Sequence, residues 1–227
     1  MEKSSKLKIN NNISWGGINL SGIDFNGFSS SPGWVGYFYS SELELSSIKK
    51  SSQMVGSFFN IDEFFMLSAL SYDKDEDIFD LDSNDPDDYR SIQKNNLFAN
   101  SYFKAIEYGF LQPYEGLYEK YLDEEMQLPI KAVDLPAHIL RLDFDSSVFL
   151  EFCEVVIAYY FSPVVGQKCF LINPKLGIAL YPHDDIGYGC ISLNNNYKEK
   201  MILVDFLKFC NKDGYFDIYL DENIKNL

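Results

Sequence analysis

Short apolar blocks separated by turn residues mark residues 168–193 as the clearest structural signal in the chain. Three apolar runs lie in this stretch, at residues 170–172, 178–181 and 190–193. Pro174 fixes φ for the first turn, and Gly177 tolerates a positive φ. An Asp pair followed by Gly187 and Gly189 is typical of a second turn. The pattern predicts a three-stranded antiparallel meander.

Helical spacing of apolar residues predicts helices that pack on this meander. Residues 148–161 are apolar nearly all round, with only Glu151 and Glu154 charged, so we expect a buried central helix there. Residues 199–210 form an amphipathic pattern that Gly214 ends. We expect further helices at residues 41–59, 62–70, 86–108 and 114–126, and further strands at residues 34–39, 138–144 and 215–220.

These elements together predict an α+β fold, an antiparallel β-meander packed with several helices. We expect residues 1–12, which are polar, to be a flexible N-terminus, and residues 13–227 to form a single α+β domain. The length leaves room for two lobes, with an acidic loop at residues 73–88. The N-terminal stretch has no apolar signal region and no run of about 18 apolar residues occurs, so we expect a cytoplasmic protein without a membrane partner.

Charge narrows the classes of partner. The chain has 34 acidic and 19 basic residues, a net charge of −15 with a sequence pI near 4.4. Such a surface repels nucleic acid and attracts basic proteins, although solubility alone is an alternative explanation. The four cysteines have no C-x-x-C spacing and stand in apolar runs, which indicates reduced core residues: Cys153, Cys169, Cys190 and Cys210.

The acidic charge is concentrated in the predicted loop at residues 73–88. Nine acids and one base, Lys74, give this segment a charge of −8; the acids are Asp73, Asp75, Glu76, Asp77, Asp80, Asp82, Asp85, Asp87 and Asp88. Repulsion among them predicts an exposed loop. Their spacing begins like an EF-hand, but Ile78 stands where that loop requires Gly and Asn84 where it requires Glu. We therefore expect no metal site here.

We interpret this loop as a surface that binds a partner protein. A second acidic patch, Asp123, Glu124 and Glu125, lies in the last turn of a predicted helix, where acids oppose the helix dipole. Tight binding also needs aromatic anchors near the acids. The candidates are Tyr72, Phe79 and Tyr89.

Few residues in the chain are suited to catalysis. His138 and His183 are its two histidines, and the turn His183-Asp184-Asp185 has the atoms of a proton relay or a metal site. We favour a structural role, in which the two acids bond to the turn backbone, because sequence neighbours rarely converge on one point. No nucleophile motif, phosphate loop or basic stripe is present. We therefore predict a protein that is not an enzyme and needs no cofactor.

Residues 13–39 are rich in glycine, serine and aromatic residues. A cluster of this kind forms either a surface on which sugars or bases stack, or part of the hydrophobic core. We favour the core, because large aromatic side chains are mostly buried wherever a core is available.

The C-terminal third also carries a resemblance. Phe-Leu-Ile-Asn at residues 170–173, Leu180-Tyr181, the Asp-Asp pair with Gly187, and Cys190-Ile191 before a helix resemble the ending of uncharacterised bacterial domains found near secreted toxins. In size and acidity the whole chain is similar to cytosolic immunity proteins of bacterial polymorphic-toxin systems. The resemblance implies a complex with a cognate basic toxin domain encoded nearby.

We therefore predict a protein that neutralises a toxin by direct protein–protein contact. Two alternatives remain open: a hydrolase or metal-dependent enzyme that uses His183, Asp184 and Asp185, and an acidic mimic of nucleic acid.

Overall fold

The computed structural model describes residues 14–15, 18–19, 21–24, 28–42, 45–73, 107, 111–114, 138–140, 147–157, 164–183 and 185–225. Its strands are β1 (Ser14–Trp15), β2 (Ile18–Asn19), β3 (Trp34–Tyr39), β4 (Phe65–Asp73), β5 (Leu111–Tyr114), β6 (His138–Leu140), β7 (Val164–Asn173), β8 (Ile178–His183), β9 (Gly187–Ser192) and β10 (Asp217–Leu220). Its α-helices are α1 (Leu45–Phe58), α2 (Ser147–Ile157), α3 (Tyr197–Asn211) and α4 (Glu222–Lys225), and 3-10 turns lie at Phe28–Ser30 and Ile61–Glu63.

One large sheet organises these elements. Six strands run antiparallel in the order β10-β3-β9-β8-β7-β4, and the far side of β4 pairs with β5 in parallel and with β6 antiparallel. Leu180 lies between Leu171 of β7 and Cys190 of β9, as the predicted meander requires. The α+β fold and the meander are therefore confirmed. Strands β1 and β2 form a separate antiparallel pair.

Alternation along the strands gives the sheet two different faces. Leu171, Leu180 and Cys190 belong to the main core, where α1, α2 and α3 cover the sheet. Their neighbours Ile172 and Ala179 point to the opposite face and join a second, smaller core. That second core consists of Ile23, Phe65, Leu67, Phe170, Ile172, Ala179, Tyr181, Ile191 and Leu193, with Phe28 and Trp34 packed against it.

The central helix is confirmed as α2, and residues 158–161 of the predicted range lie outside the described part of the chain. Phe149, Phe152 and Val156 are buried against the sheet and α1. All four cysteines are also buried, as predicted, and their thiols are free. Across its described residues the chain has no helix that is both long enough and apolar enough to cross a membrane.

A cluster of polar side chains lies where α1 meets α2 and the sheet. The hydroxyl groups of Ser52 and Tyr188 are 3.0 Å apart, and both residues are buried. Glu154 of α2 is half-buried beside them. Burial raises the pKa of Glu154 to about 7; repulsion from Glu151 adds to the rise, while Lys49 and the Ser52 hydroxyl oppose it.

Hydrogen bonds among neighbouring residues cap the N-terminus of helix α3. The Asn196 side chain accepts from the Glu199 backbone N–H at 3.0 Å, which is an N-cap bond. The buried Glu199 carboxylate accepts from the Ser192 hydroxyl at 2.6 Å and from the Asn194 backbone at 2.9 Å. Burial alone would raise the pKa of Glu199, but these hydrogen bonds outweigh it and lower the pKa. The bonds fix the connection from β9 to α3.

The helix predicted at residues 62–70 is wrong. A 3-10 turn capped by Asn60, rather than Asp62, leads instead into strand β4. Met66 points into the main core while Phe65 and Leu67 point into the second core, so both faces of the strand are buried over these three residues. Where both faces of a strand are buried, its apolar residues follow one another without alternation, and such a run resembles a buried helix in sequence.

Other predicted elements are tested only in part. The strands predicted at residues 34–39, 138–144 and 215–220 appear as β3, β6 and β10, although residues 141–144 lie outside the described ranges. Tyr114 ends strand β5 and does not begin a helix. Except for Glu107, the predicted helix at residues 86–108 lies outside the described residues, as do residues 115–126 and the N-terminus at residues 1–12.

Candidate functional site

Most of the predicted partner-binding residues lie outside the described part of the chain. Tyr72 and Asp73 are the last two residues of β4. The other predicted acids and aromatic residues, at positions 75–89 and 123–125, belong to ranges that the structure does not describe. The acidic loop and the second acidic patch therefore stay predictions.

A different group of side chains lies together on the sheet face opposite the helices. We name it the tyrosine surface and define it as Trp34, Tyr37 and Tyr39 of β3, His183 of β8 and Tyr219 of β10, with Asp185 and Asp217 beside them. Trp34, Tyr37, Tyr39 and His183 are half-buried, and Tyr219 is 41% exposed. This surface adjoins the second core and extends to the β10 edge of the sheet.

A bulge in β3 places its three aromatic side chains on one face. The register with β9 shifts between Trp34 and Gly36, so Trp34 faces the same side as Tyr37 and Tyr39. Gly36 has φ +148°, and a Cβ there would collide with the Tyr219 carbonyl oxygen. Only glycine suits that backbone and that close approach of β10. The fully buried Phe38 anchors the other side of the strand in the main core.

The aromatic rings form a continuous array. Tyr37 is at its centre, stacked with Tyr219 at a centroid distance of 5.6 Å and 5.5 Å from Tyr39. Trp34 lies 5.8 Å from Tyr219, and the His183 ring meets Tyr37 perpendicularly at 4.9 Å. Each pair falls in the range of favourable aromatic contacts, so the rings support one another.

Tyr181 holds the array against the second core. Its hydroxyl accepts a hydrogen bond from Trp34 Nε1 at 2.9 Å, and its ring packs on Phe28 at 4.5 Å. The ring lies over Gly189, where any Cβ would collide with it. Burial raises the pKa of Tyr181 far above its ordinary value, while the bond from Trp34 opposes the rise. Its hydroxyl therefore stays neutral and keeps this bond.

Two exposed carboxylates flank the rings. Asp217 pairs directly with Tyr39 across β10 and β3, so both side chains stand on the same face. Asp185 lies at the end of β3, where its carbonyl oxygen accepts from the Ser40 N–H at 3.0 Å. Burial raises the pKa of Tyr37, and Asp185, Tyr39 and Tyr219 raise it further by repelling a phenolate. The Tyr37 hydroxyl therefore stays neutral, and the two exposed carboxylates make the surface electronegative.

The turn that carries the histidine differs from the expected one. His183 Nδ1 accepts a hydrogen bond from the Asp185 backbone N–H at 3.2 Å, so in this turn the histidine bonds to the backbone. The residue with a left-handed backbone in this turn is Ile186, with φ 56°. Asp184 lies outside the described residues. Within the part of the chain that is described, no group of three or more His, Cys, Asp or Glu side chains is arranged to hold a metal ion.

Sequence reasoning found the strand that carries this surface but not the surface itself. Of the aromatic segment that we expected in the core, Val35 and Phe38 are fully buried, whereas Trp34, Tyr37 and Tyr39 are half-buried on the other face. The signal in the sequence was Gly36, a glycine inside a strand, which often marks a bulge.

Comparison of this chain with protein-family models, with curated proteins and with solved structures gives no match.

Proposed function

We propose that this protein binds another protein through the tyrosine surface, and that the partner is a bacterial toxin domain which it neutralises by direct contact. The observation that carries the proposal is the row of half-exposed rings from Trp34 through Tyr37 to Tyr219. Tyrosine and tryptophan are enriched at the centres of protein interfaces, because they bury a large area and lose little conformational entropy.

The charge of the chain supports a basic partner. A net charge of −15 steers a basic protein towards this one and speeds association, mainly at low salt. In the proposal, the acidic loop at residues 73–88 supplies this steering, and the tyrosine surface supplies the contact that holds the complex. An inhibitor benefits from fast association, because every free toxin molecule continues to act.

The size, the acidity and the pattern of the C-terminal third support a toxin as the partner, since they resemble those of cytosolic immunity proteins. The proposal accordingly places the protein in the cytoplasm, with a toxin encoded nearby and with no nucleic acid, membrane or cofactor involved. The same features favour binding over catalysis. A stoichiometric transition metal in the purified protein that is lost in His183→Ala would instead support a metal-dependent enzyme.

The test is to express the neighbouring open reading frames with and without this protein and to measure growth. We expect one neighbour to be toxic alone and harmless in the presence of this protein. We expect Tyr219→Ala to weaken the complex about tenfold or more, because a ring of this array is a candidate hot spot. Tyr197→Ala is the matched control, since Tyr197 is a 59% exposed tyrosine at the start of α3.

Two results would contradict the proposal. If no neighbouring gene is toxic, the protein is not an immunity protein. If a toxic neighbour is neutralised equally well by the Tyr219→Ala and Tyr197→Ala variants, the tyrosine surface is not the interface. Replacing Asp73, Asp75, Asp77, Asp80 and Asp82 by Asn separately tests the loop, and we expect it to slow association at low salt.

A further inference from the structure

The chemistry of the tyrosine surface indicates what kind of side chain the partner presents. We infer that the tyrosine surface receives a cationic side chain, an arginine or lysine of the partner, between the faces of its tyrosine rings and the carboxylates of Asp185 and Asp217. This inference rests on the proposed function, because it specifies the chemistry of the same interface.

Three features make the surface complementary to a cation. The faces of aromatic rings carry negative electrostatic potential and attract ammonium and guanidinium groups. Tyr37, Tyr39 and Tyr219 lie side by side, with centroid distances of 5.5 Å and 5.6 Å from the central ring. Asp217 stands directly across from Tyr39, and Asp185 donates its backbone N–H to His183, whose ring meets Tyr37 at a centroid distance of 4.9 Å. Rings and carboxylates therefore attract the same kind of group.

The four strands that frame the surface contribute no cation of their own. Strands β3, β8, β9 and β10 read WVGYFY, IALYPH, GYGCIS and DIYL, without lysine or arginine. Clustered acids on one face repel one another. A cation on a binding partner would offset that repulsion, which a neutral side chain would not do.

The protein already contains the proposed interaction once. Lys50 Nζ lies 3.3 Å from the centroid of the Tyr215 ring and 3.4 Å from a carboxylate oxygen of Asp213. A tyrosine ring and a nearby aspartate therefore hold an ammonium group within this fold. The tyrosine surface offers a similar combination, with Tyr39 directly across from Asp217 and with Asp185 bonded to His183, whose ring packs on Tyr37. Its cation would come from the partner.

The inference can be tested without the partner, by titrating the full chain with small probes and following backbone and ring resonances by NMR. The cationic probes are N-acetylarginine amide and N-acetyllysine amide, and the neutral probe is N-acetylcitrulline amide, which has nearly the shape of the arginine probe. We expect saturable shifts of the Tyr37, Tyr39 and Tyr219 resonances with the cationic probes. The affinity for the citrulline probe should be about threefold weaker, or weaker still, than the affinity for the arginine probe.

Substitutions of the two carboxylates test whether the cationic probes bind at the tyrosine surface. Asp217→Asn and Asp185→Asn should each reduce the affinity for the cationic probes at the tyrosine resonances about twofold or more. Asp205→Asn is the matched control, because it removes an exposed carboxylate from α3. We expect this control to leave the tyrosine shifts unchanged. The intact spectrum of each variant shows whether the variant is folded.

The outcomes separate this inference from the proposed function. Equal affinity for arginine and citrulline probes would overturn it in favour of a neutral occupant, and shifts spread over other acidic regions would overturn it in favour of diffuse attraction. If Tyr219→Ala abolishes partner binding while the cationic probes show no preference, the proposed function stands and this inference fails. If the cationic probes bind selectively but no neighbouring gene is toxic, this inference stands and the proposed function fails.

Discussion

Glu154 should make the stability of the protein depend on pH near neutrality. Its carboxyl group is half-buried at the junction of α1 and α2, and burial raises its pKa from 4.5 to about 7. A raised pKa means that the folded protein holds a proton which the unfolded chain releases. The contribution of Glu154 to stability is therefore fully present below about pH 4.5 and is lost as the pH rises through about 7.

The size of the effect follows from the change in pKa. A rise from 4.5 to about 7 corresponds to about 3 kcal/mol between the two protonation states, at about 1.4 kcal/mol per pKa unit. Because part of the carboxyl group is in contact with water, screening reduces this to about 2 kcal/mol. Glu154→Gln keeps the shape of the side chain and removes the ionisable proton. We expect this variant to gain about 2 kcal/mol relative to the native protein above neutral pH.

The assay is urea unfolding of the native protein and of Glu154→Gln at about pH 5 and about pH 8. The difference between them should be small at the lower pH and should favour the variant at the higher one. Asp205→Asn controls for the general benefit of removing one charge from an acidic protein, because Asp205 is exposed on α3. A Glu154→Gln difference that does not change with pH, or that equals the Asp205→Asn difference at both values, would refute the reasoning.

Three further substitutions test hydrogen bonds and packing in the sheet and at the start of α3. Tyr181→Phe removes the acceptor of the Trp34 indole N–H, so we expect a loss of about 1 kcal/mol in urea unfolding, with a shift in tryptophan fluorescence. Glu199→Ala removes a buried acceptor of several hydrogen bonds and should cost about 2–4 kcal/mol of unfolding free energy. Because the pKa of Glu199 is lowered in the folded protein, its contribution to stability is present above about pH 4.5 and is lost as the pH falls. Unfolding measured at neutral and at acidic pH will show this loss. Gly36→Ala forces a methyl group against the Tyr219 carbonyl and should cost about 2–3 kcal/mol, with faster hydrogen exchange in β10 as the measure.

The meander was predictable because its boundaries are local. Turn residues such as Pro174 and Gly177 lie between the apolar runs, and they define strands even where neither face is exposed. Strand β4 has no such signal at its start, since Phe64 to Leu67 are buried without interruption. Length and composition alone do not separate such a run from a helix. Its identity as a strand depends on pairing with β7, about a hundred residues later in the chain.

The tyrosine surface depends on contacts of this long-range kind. The sequence predicted the ends of strand β3 correctly. The bulge at Gly36 changes which face of the sheet the side chains occupy, and a regular alternation would place Trp34 on the opposite face from Tyr37 and Tyr39. Tyr219 reaches the array because β10, the last strand, pairs with β3 near the start of the fold. A single sequence gives no direct indication of that pairing. The sequence therefore predicted an acidic binding surface from composition and missed the aromatic side chains that converge through topology.

The helix-covered core also determines the geometry of the site on the opposite face. Ile186 has a left-handed backbone, which costs a β-branched residue about 1–2 kcal/mol, but its side chain is 1% exposed in the main core and its burial returns about 2–3 kcal/mol. Burial of the Ile186 side chain therefore offsets the cost of its backbone conformation. That conformation sets the neighbouring Asp185, whose backbone bonds to both Ser40 and His183. Phe38 anchors β3 in the same core. In the proposed complex, the partner would meet rings that the sheet already holds in place, and little of its binding free energy would be spent on ordering them.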